Sequence, residues 1–239
     1  MIIDIESYQK YLKGFYIYDC TYGYEHGKVG LSLIEVVDEE HAEYENPFYP
    51  PEKRLISITF TLSKKYRIYG RRATGISLMT ISSGWPPSQT EYVMVSQDRD
   101  VMSYKEDVYK GVEESINILI PGSIDMFSVI IKVVRIENSV YAIGSGFRIY
   151  KRVDHQIWRE HSTYLPVPDG LLDRKVEAIT RSRFRDLSGF SESDMYAVGG
   201  TGTVYHFNGE QWKQLPFPTN KLLYTVCCAG DGFVYIADF

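Results

Sequence analysis

Three features of the sequence together predict an all-β fold, a β-propeller of four-stranded blades. The first is a pattern that occurs twice, as Val140-Tyr141-Ala142-Ile143-Gly144 and as Met195-Tyr196-Ala197-Val198-Gly199, with a partial third copy at Val234-Tyr235-Ile236-Ala237-Asp238. The second is spacing, since Tyr141, Tyr196 and Tyr235 are separated by 55 and 39 residues. Units of roughly 40 to 50 residues with about four short strands each are blade-sized, whereas leucine-rich and ankyrin repeats are shorter and contain helix. The third is composition: 20 of the 239 residues are Tyr and 14% are aromatic, a bias toward strands. About four to five blades are predicted, or a fragment of a larger ring.

Taken in chain order, residues 1–66 form an acidic segment in which Gly14 to Cys20, Val29 to Val37 and Leu55 to Leu62 have the apolar content of strands. Blades are predicted at about 67–120, 121–165 and 176–218, with a partial one at 219–239. In the first, Ala73 to Ile81 supplies the opening strand, and Tyr92 to Gln97 and Asp100 to Tyr104 align without gaps against Met195 to Gly200 and Thr203 to Phe207, although the glycines are missing. In the second, the strands are Phe127 to Ile136, Val140 to Gly144, Phe147 to Val153 and Gln156 to His161. The third reads Phe184 to Phe190, Met195 to Gly199, Thr203 to Phe207 and Gln211 to Leu215, with Asn208-Gly209 predicting a two-residue type I′ hairpin, both of whose central residues need positive φ. The partial blade holds only two strands, so the N-terminal strands are candidates to complete it and close the ring.

The run Ser193-Asp194-Met195-Tyr196-Ala197-Val198-Gly199, followed by Tyr205-His206-Phe207-Asn208-Gly209-Glu210-Gln211-Trp212, resembles the blade repeat of a large set of bacterial β-propellers related in architecture to WD40 and kelch proteins. The resemblance covers roughly residues 70–239. It implies a fold and is nearly silent on activity, because propellers host binding, scaffolding and unrelated enzymes. The Trp-Asp dipeptide of WD40 repeats is absent, and a paired-glycine kelch signature does not recur in every blade.

Charge is distributed unevenly. Residues 1–52 hold eleven Asp or Glu against three Lys or Arg, a balance of −8, while the remainder holds 20 acids against 23 bases, or +3, giving the overall −5. Glu35, Asp38, Glu39, Glu40, Glu43 and Glu45 cluster just before Pro47-Phe48-Tyr49-Pro50-Pro51 and are the candidate partner-binding residues. Such a run solvates a surface, and in its sharper reading it steers a basic partner by complementary potential. Basic groups also cluster, Lys64, Lys65, Arg67, Arg71 and Arg72 around Tyr66 and Tyr69, and Arg174, Lys175, Arg181, Arg183 and Arg185 further on. The sequence pI near 5.6 disfavours nucleic acid as partner, since nucleic-acid domains are usually basic.

Catalytic patterns are missing. The five histidines show no zinc spacing, Gly144-Ser145-Gly146 is too short for a nucleophile elbow, and no phosphate-binding glycine motif precedes a helix. Neither metal nor cofactor is expected. Cys20 and the pair Cys227-Cys228 lack a disulfide framework and are expected to be buried small apolar residues. No apolar run reaches a membrane span and no basic leader opens the sequence, which predicts a cytoplasmic protein. The function expected is non-enzymatic protein binding, in its most specific form a cytoplasmic bacterial immunity protein that neutralises a basic toxin by covering it. A carbohydrate-binding or hydrolytic propeller and a structural scaffold are the alternatives.

Overall fold

The computed structural model describes residues 3–23, 25–37, 51–73, 76–84, 91–104, 110–112, 115–116, 129–162, 165–166, 168, 178 and 181–238. Contacts divide the chain into two compact units, Met1–Glu114 and Ser115–Phe239. Each is built from antiparallel meanders in which sequence neighbours are hydrogen-bonded neighbours, and among the described residues there are four sheets of four strands and one of two. The all-β blade architecture predicted from the repeat is therefore the architecture observed.

In the first unit, α1 (Ile5–Tyr11) starts at Asp4, whose carboxylate accepts from Ser7 N at 2.8 Å and satisfies one of the orphan amides of the first turn. It is followed by a sheet of β1 (Phe15–Tyr22), β2 (Lys28–Glu35), β3 (Lys53–Thr59) and β4 (Ile68–Ala73). The second sheet is β5 (Met79–Gly84), β6 (Glu91–Ser96), β7 (Val101–Tyr104) and β8 (Lys110–Val112). The three N-terminal strand candidates thus hydrogen-bond to one another and to β4 as one four-stranded sheet. Ala73 closes β4, and the opening strand expected from that position starts at Met79. Leu31, Leu33, Ile56, Ile58 and Ile68 form one core cluster; Leu55, Met79, Ile81, Tyr92 and Met94 belong to another.

The second unit holds β9 (Ile130–Ile136), β10 (Ser139–Gly144), β11 (Arg148–Asp154) and β12 (Ile157–Glu160), then β13 (Phe184–Ser191), β14 (Asp194–Gly199), β15 (Thr203–Phe207) and β16 (Trp212–Leu215). A two-stranded sheet follows, β17 (Leu223–Cys228) with β18 (Val234–Asp238). These strands fall where the repeat places them. Tyr141, Ile143, Phe184, Met195, Ala197 and Trp212 share one core cluster that joins its two complete blades. The Asn208-Gly209 turn differs from expectation: only Gly209 has positive φ (91°), and the Asn208 side chain accepts from Glu210 N and Gln211 N at 3.2 and 3.0 Å. This Asx turn spans four residues because the side chain replaces a backbone acceptor, so no second left-handed residue is needed.

The glycine of the repeat has a steric origin. A Cβ on Gly144 would overlap the Val129 carbonyl oxygen, and one on Gly199 the Arg183 carbonyl oxygen. Both glycines face the entry to the first strand of their blade, where the register slips by one residue, Gly144 pairing with Ile130 and Gly199 with Phe184. A β-bulge of this kind re-aims the residues that follow it. β6, which has Ser96 in place of the repeat glycine, pairs with β5 without a bulge.

The bulge recurs in β1, β9, β13 and β17, and the residue after it is Asp19, Lys132, Asp186 or Thr225. Asp186, only 3% exposed, accepts from Leu187 N (2.9 Å) and Lys132 Nζ (2.7 Å) through Oδ1, and from Thr225 Oγ1 (2.7 Å) and Val226 N (3.1 Å) through Oδ2. Asp19 repeats the motif in the first unit, accepting from Cys20 N at 2.8 Å and from Ile81 N of β5 at 2.9 Å. At two of the four bulges a carboxylate therefore fastens first strands together, Asp19 joining β1 to β5 and Asp186 joining β13 to β9 and β17, and buried amides beside the bulges find acceptors there.

Candidate partner-binding surface

Of the predicted acidic residues, Glu35 lies within the described structure; Asp38, Glu39, Glu40, Glu43 and Glu45 lie outside the described residues. Glu35 ends β2, and its carboxylate accepts from Glu52 N at 2.9 Å while its own amide donates to Glu52 O at 2.9 Å. Glu52 in turn meets Arg54 Nε at 2.6 Å and Arg72 Nε at 3.5 Å. Around Glu35 the fold therefore sets a mixed-charge base for the β2–β3 connection rather than a purely acidic face.

Apolar exposure identifies a different surface. Of the 17 large hydrophobic residues exposed among the described residues, 12 belong to the first unit. One part lies on β1, where Tyr16, Ile17, Tyr18 and Tyr22 are exposed, Tyr22 by 78%. The β1 backbone is held by its pairing to β2 and by the Asp19 carboxylate, so these side chains stand on a fixed strand. The Tyr18 phenol is pushed above its ordinary pKa by burial first and then by the neighbouring Asp19.

The other part is the β3–β4 connection, which exposes Phe60, Leu62 and Tyr66 beside Lys64, Lys65 and Arg67. This loop is closed by its own hydrogen bonds, Thr59 N to Arg67 O (2.8 Å), Leu62 N to Thr59 O (3.2 Å) and Arg67 Nη2 to Leu62 O (3.2 Å), and is tied to the β1–β2 turn by Phe60 N to Gly27 O (2.8 Å). Lys65 lies 5.3 Å from the Tyr66 ring centroid, and Tyr69 stacks on Tyr104 at 4.8 Å. Aromatic side chains with interleaved cations on a pre-ordered backbone match the composition of interface hot spots, because little conformational entropy remains to be lost on binding. In the sequence these cations around Tyr66 and Tyr69 bear only on nucleic acid, and the local signal for this surface is Phe60-x-Leu62 at the turn of a hairpin.

Among the described residues of the second unit, a half-buried titratable cluster lies between its two complete blades. Glu192 accepts from Ser139 Oγ (2.6 Å), from the Tyr141 hydroxyl (3.3 Å) and from the Lys151 ammonium, while its amide donates to Glu137 Oε2 at 2.9 Å. Burial raises the Glu192 pKa, but the hydrogen bonds from Lys151 and Ser139 outweigh it and leave the carboxylate below its usual range. Burial, followed by Glu192, drives the Tyr141 phenol upward, and burial followed by Lys151 lowers His161. Tyr141 is 0% exposed, and through its hydroxyl, Ser139 and Lys151 the cluster ties Glu192 of one blade to the other. Among the described residues no group of three or more His, Cys, Asp or Glu is placed to hold a metal ion.

The cysteines depart from expectation. Cys20 and Cys227 are exposed and Cys228 is half-buried, all as free thiols. Cys227 and Cys228 alternate on one strand, so Cys228 turns toward β13, where its amide donates to Ser188 Oγ at 3.0 Å, and Cys227 turns to solvent. No helix among the described residues is long and apolar enough to cross a membrane.

No protein-family model matches the chain. It is similar to the Immune protein Tsi7 of Pseudomonas aeruginosa, 35% identical over 100 residues that make up 42% of this chain and 30% of that protein, so the match spans under a third of the relative's length. Among solved structures it is similar to the WD40 repeats of RRP9 (TM-score 0.49, 8% identity, 94% of this chain and 74% of that one). It is also similar to YCF48 bound to D1 peptide (TM-score 0.44, 14% identity, 95% and 91% covered) and to YCF48 from Cyanidioschyzon merolae (TM-score 0.43, 11% identity, 94% of each). The blade assignment rests on the strand order itself and not on these distant likenesses.

Proposed function

We propose that this chain is a non-enzymatic protein-binding protein, and most specifically a cytoplasmic immunity protein that neutralises a toxin by covering it. The observation that carries the reading is the 35% identity over 100 residues to a protein named for immunity. The exposed tyrosines, Phe60 and Leu62 of the first unit support it, since they form pre-ordered contact surface, and the absence of catalytic motifs in the sequence agrees. The toxin is basic in this proposal, and Asp38, Glu39, Glu40, Glu43 and Glu45 with Glu35 accelerate its approach by complementary charge.

Co-expression with the product of the neighbouring gene tests the proposal. Expected are a co-purifying complex and survival of cells that otherwise stop growing. A neighbour that is harmless when expressed alone, or a toxic one that this chain neither binds nor neutralises, overturns it. Replacing the five acids from Asp38 to Glu45 by their amides should slow association about tenfold at low salt and leave dissociation unchanged.

A further inference from the structure

Of the five asparagines in the sequence, Asn208 alone is followed by glycine; the others precede Pro47, Ile118, Ser139 and Lys221. The turn between β15 and β16 leaves the pair open to solvent, with Asn208, Gly209, Glu210 and Gln211 all exposed. Its shape accounts for both residue types, since Gly209 adopts a φ of 91° and the Asn208 side chain caps the turn. The same arrangement sets a nucleophile beside an electrophile.

An Asx turn curls the side-chain amide back over the peptide group that follows it, here the Asn208–Gly209 bond. The Gly209 amide makes no hydrogen bond among the described residues, so its proton is open to water. Glycine also puts no side chain in the way of a closing ring. Asn208 Oδ1 receives the Glu210 and Gln211 amides at 3.2 and 3.0 Å, and this oxygen gains negative charge when a nucleophile adds to Cγ. Backbone donors aimed at a developing oxyanion lower the barrier to its formation. Asp231-Gly232 is the contrasting turn: Asp231 Oδ1 accepts from Phe233 N at 3.0 Å, but its electrophile is a carboxylate and the Gly232 amide is engaged by Ala229 O at 3.0 Å.

We propose that Asn208 is a self-modifying site that deamidates in the folded chain. The Gly209 nitrogen gives up its proton to water and attacks Asn208 Cγ, a C–N bond closes a cyclic imide, and the side-chain nitrogen takes up a proton and leaves as ammonia. One water then opens the ring at either carbonyl, giving aspartate or isoaspartate at position 208. The net change is amide and water to acid and ammonia, with nothing oxidised or reduced. Aspartate retains the two amide donors and strengthens them by charge. Isoaspartate places an extra methylene in the main chain beside the Phe207–Trp212 rung, and the buried Trp212 indole donates to His161 O at 3.0 Å. That product strains a contact between the two complete blades. The site is independent of the toxin-binding reading.

Incubation of the full chain at neutral and mildly alkaline pH, followed by peptide mapping with mass spectrometry, tests the proposal. Isoaspartyl methyltransferase labelling tells the two products apart, and a guanidinium-unfolded sample runs alongside. Expected are conversion at Asn208 ahead of every other asparagine and a rate that rises with pH. The folded chain should react about tenfold faster at Asn208 than the unfolded one, a smaller gain than such donors supply in a dry active site. Asn208→Asp should melt near the unsubstituted protein, whereas aged protein enriched in isoaspartate should melt lower. An Asn208 that keeps its amide in the folded chain, or converts there no faster than in the unfolded one, overturns the proposal.

Discussion

Replacing Asp186 by alanine tests whether the carboxylate after the bulge fastens consecutive blades. Four donors lose their acceptor: the Leu187 and Val226 amides, the Thr225 hydroxyl and the Lys132 ammonium. Removing one member of a buried ion pair costs about 3–5 kcal/mol. Lys132 is 41% exposed and regains water once its partner is gone, which cuts that contribution heavily. The two amides do not regain it, and each unsatisfied buried group costs about 1–3 kcal/mol. A loss of about 3 kcal/mol is therefore expected for Asp186→Ala, against about 1 kcal/mol for Ser188→Ala, which strips one acceptor from Cys228 N. Urea unfolding gives the total, and hydrogen exchange of the Val226 and Cys228 amides shows where it acts, since β17 and β18 should open before the complete blades do. A cost below about 0.5 kcal/mol with unchanged protection at Val226 would refute the fastening argument.

Three further outcomes are expected. Gly199→Ala should destabilise by about 3 kcal/mol or more, because its Cβ meets a backbone carbonyl that cannot move aside, while Gly230→Ala, with no atom within 4 Å of the added carbon, should stay within about 0.5 kcal/mol; thermal melts of the two decide. Acid should loosen the second unit in two stages. His161 has a lowered folded pKa, so its contribution is complete above its ordinary 6.5 and is lost as pH falls below that. Glu192 is likewise lowered, and its contribution fades as pH drops below 4.5 and through the folded value; melting temperature followed from neutral to acid pH should show both steps, and His161→Phe should remove the first. Leu62→Ala with Tyr66→Ala should weaken the proposed toxin complex by about 2 kcal/mol or more with the fold intact, and titration of complex formation would expose the error if affinity held.

The parts of the fold readable from sequence are those where a steric demand leaves a residue type behind. Gly144 and Gly199 recur because a backbone carbonyl occupies the space of a side chain, and alternating apolar residues located β6 and β7 even without that glycine. β4 escaped because Ile-Tyr-Gly-Arg-Arg-Ala reads as a basic surface rather than a strand, yet its amides complete the ladder to β3. Cys20 and Cys227 were expected inside on residue type alone, but a strand facing solvent exposes whatever alternates onto that side. For the candidate surface, the acidic run stood out by composition, whereas the exposed Phe60, Leu62 and Tyr66 depend on which face of a hairpin stays uncovered, a property of packing that no local pattern carries. Asp186 was invisible for a related reason: its partners lie 39 to 54 residues away in the chain.

The row Lys132, Asp186, Thr225 also bears on how such a chain can lengthen over evolutionary time. Each blade offers at this one register point a group that its neighbour must complement, a cation before the carboxylate and a hydroxyl after it. A tandem copy of residues 184–215 would set the duplicated Asp186 against the original, two carboxylates at close range that repel unless one takes up a proton. Growth of the array by simple duplication of that blade is therefore penalised at birth, and descendants that keep the extra unit should carry a compensating substitution at the residue after the bulge.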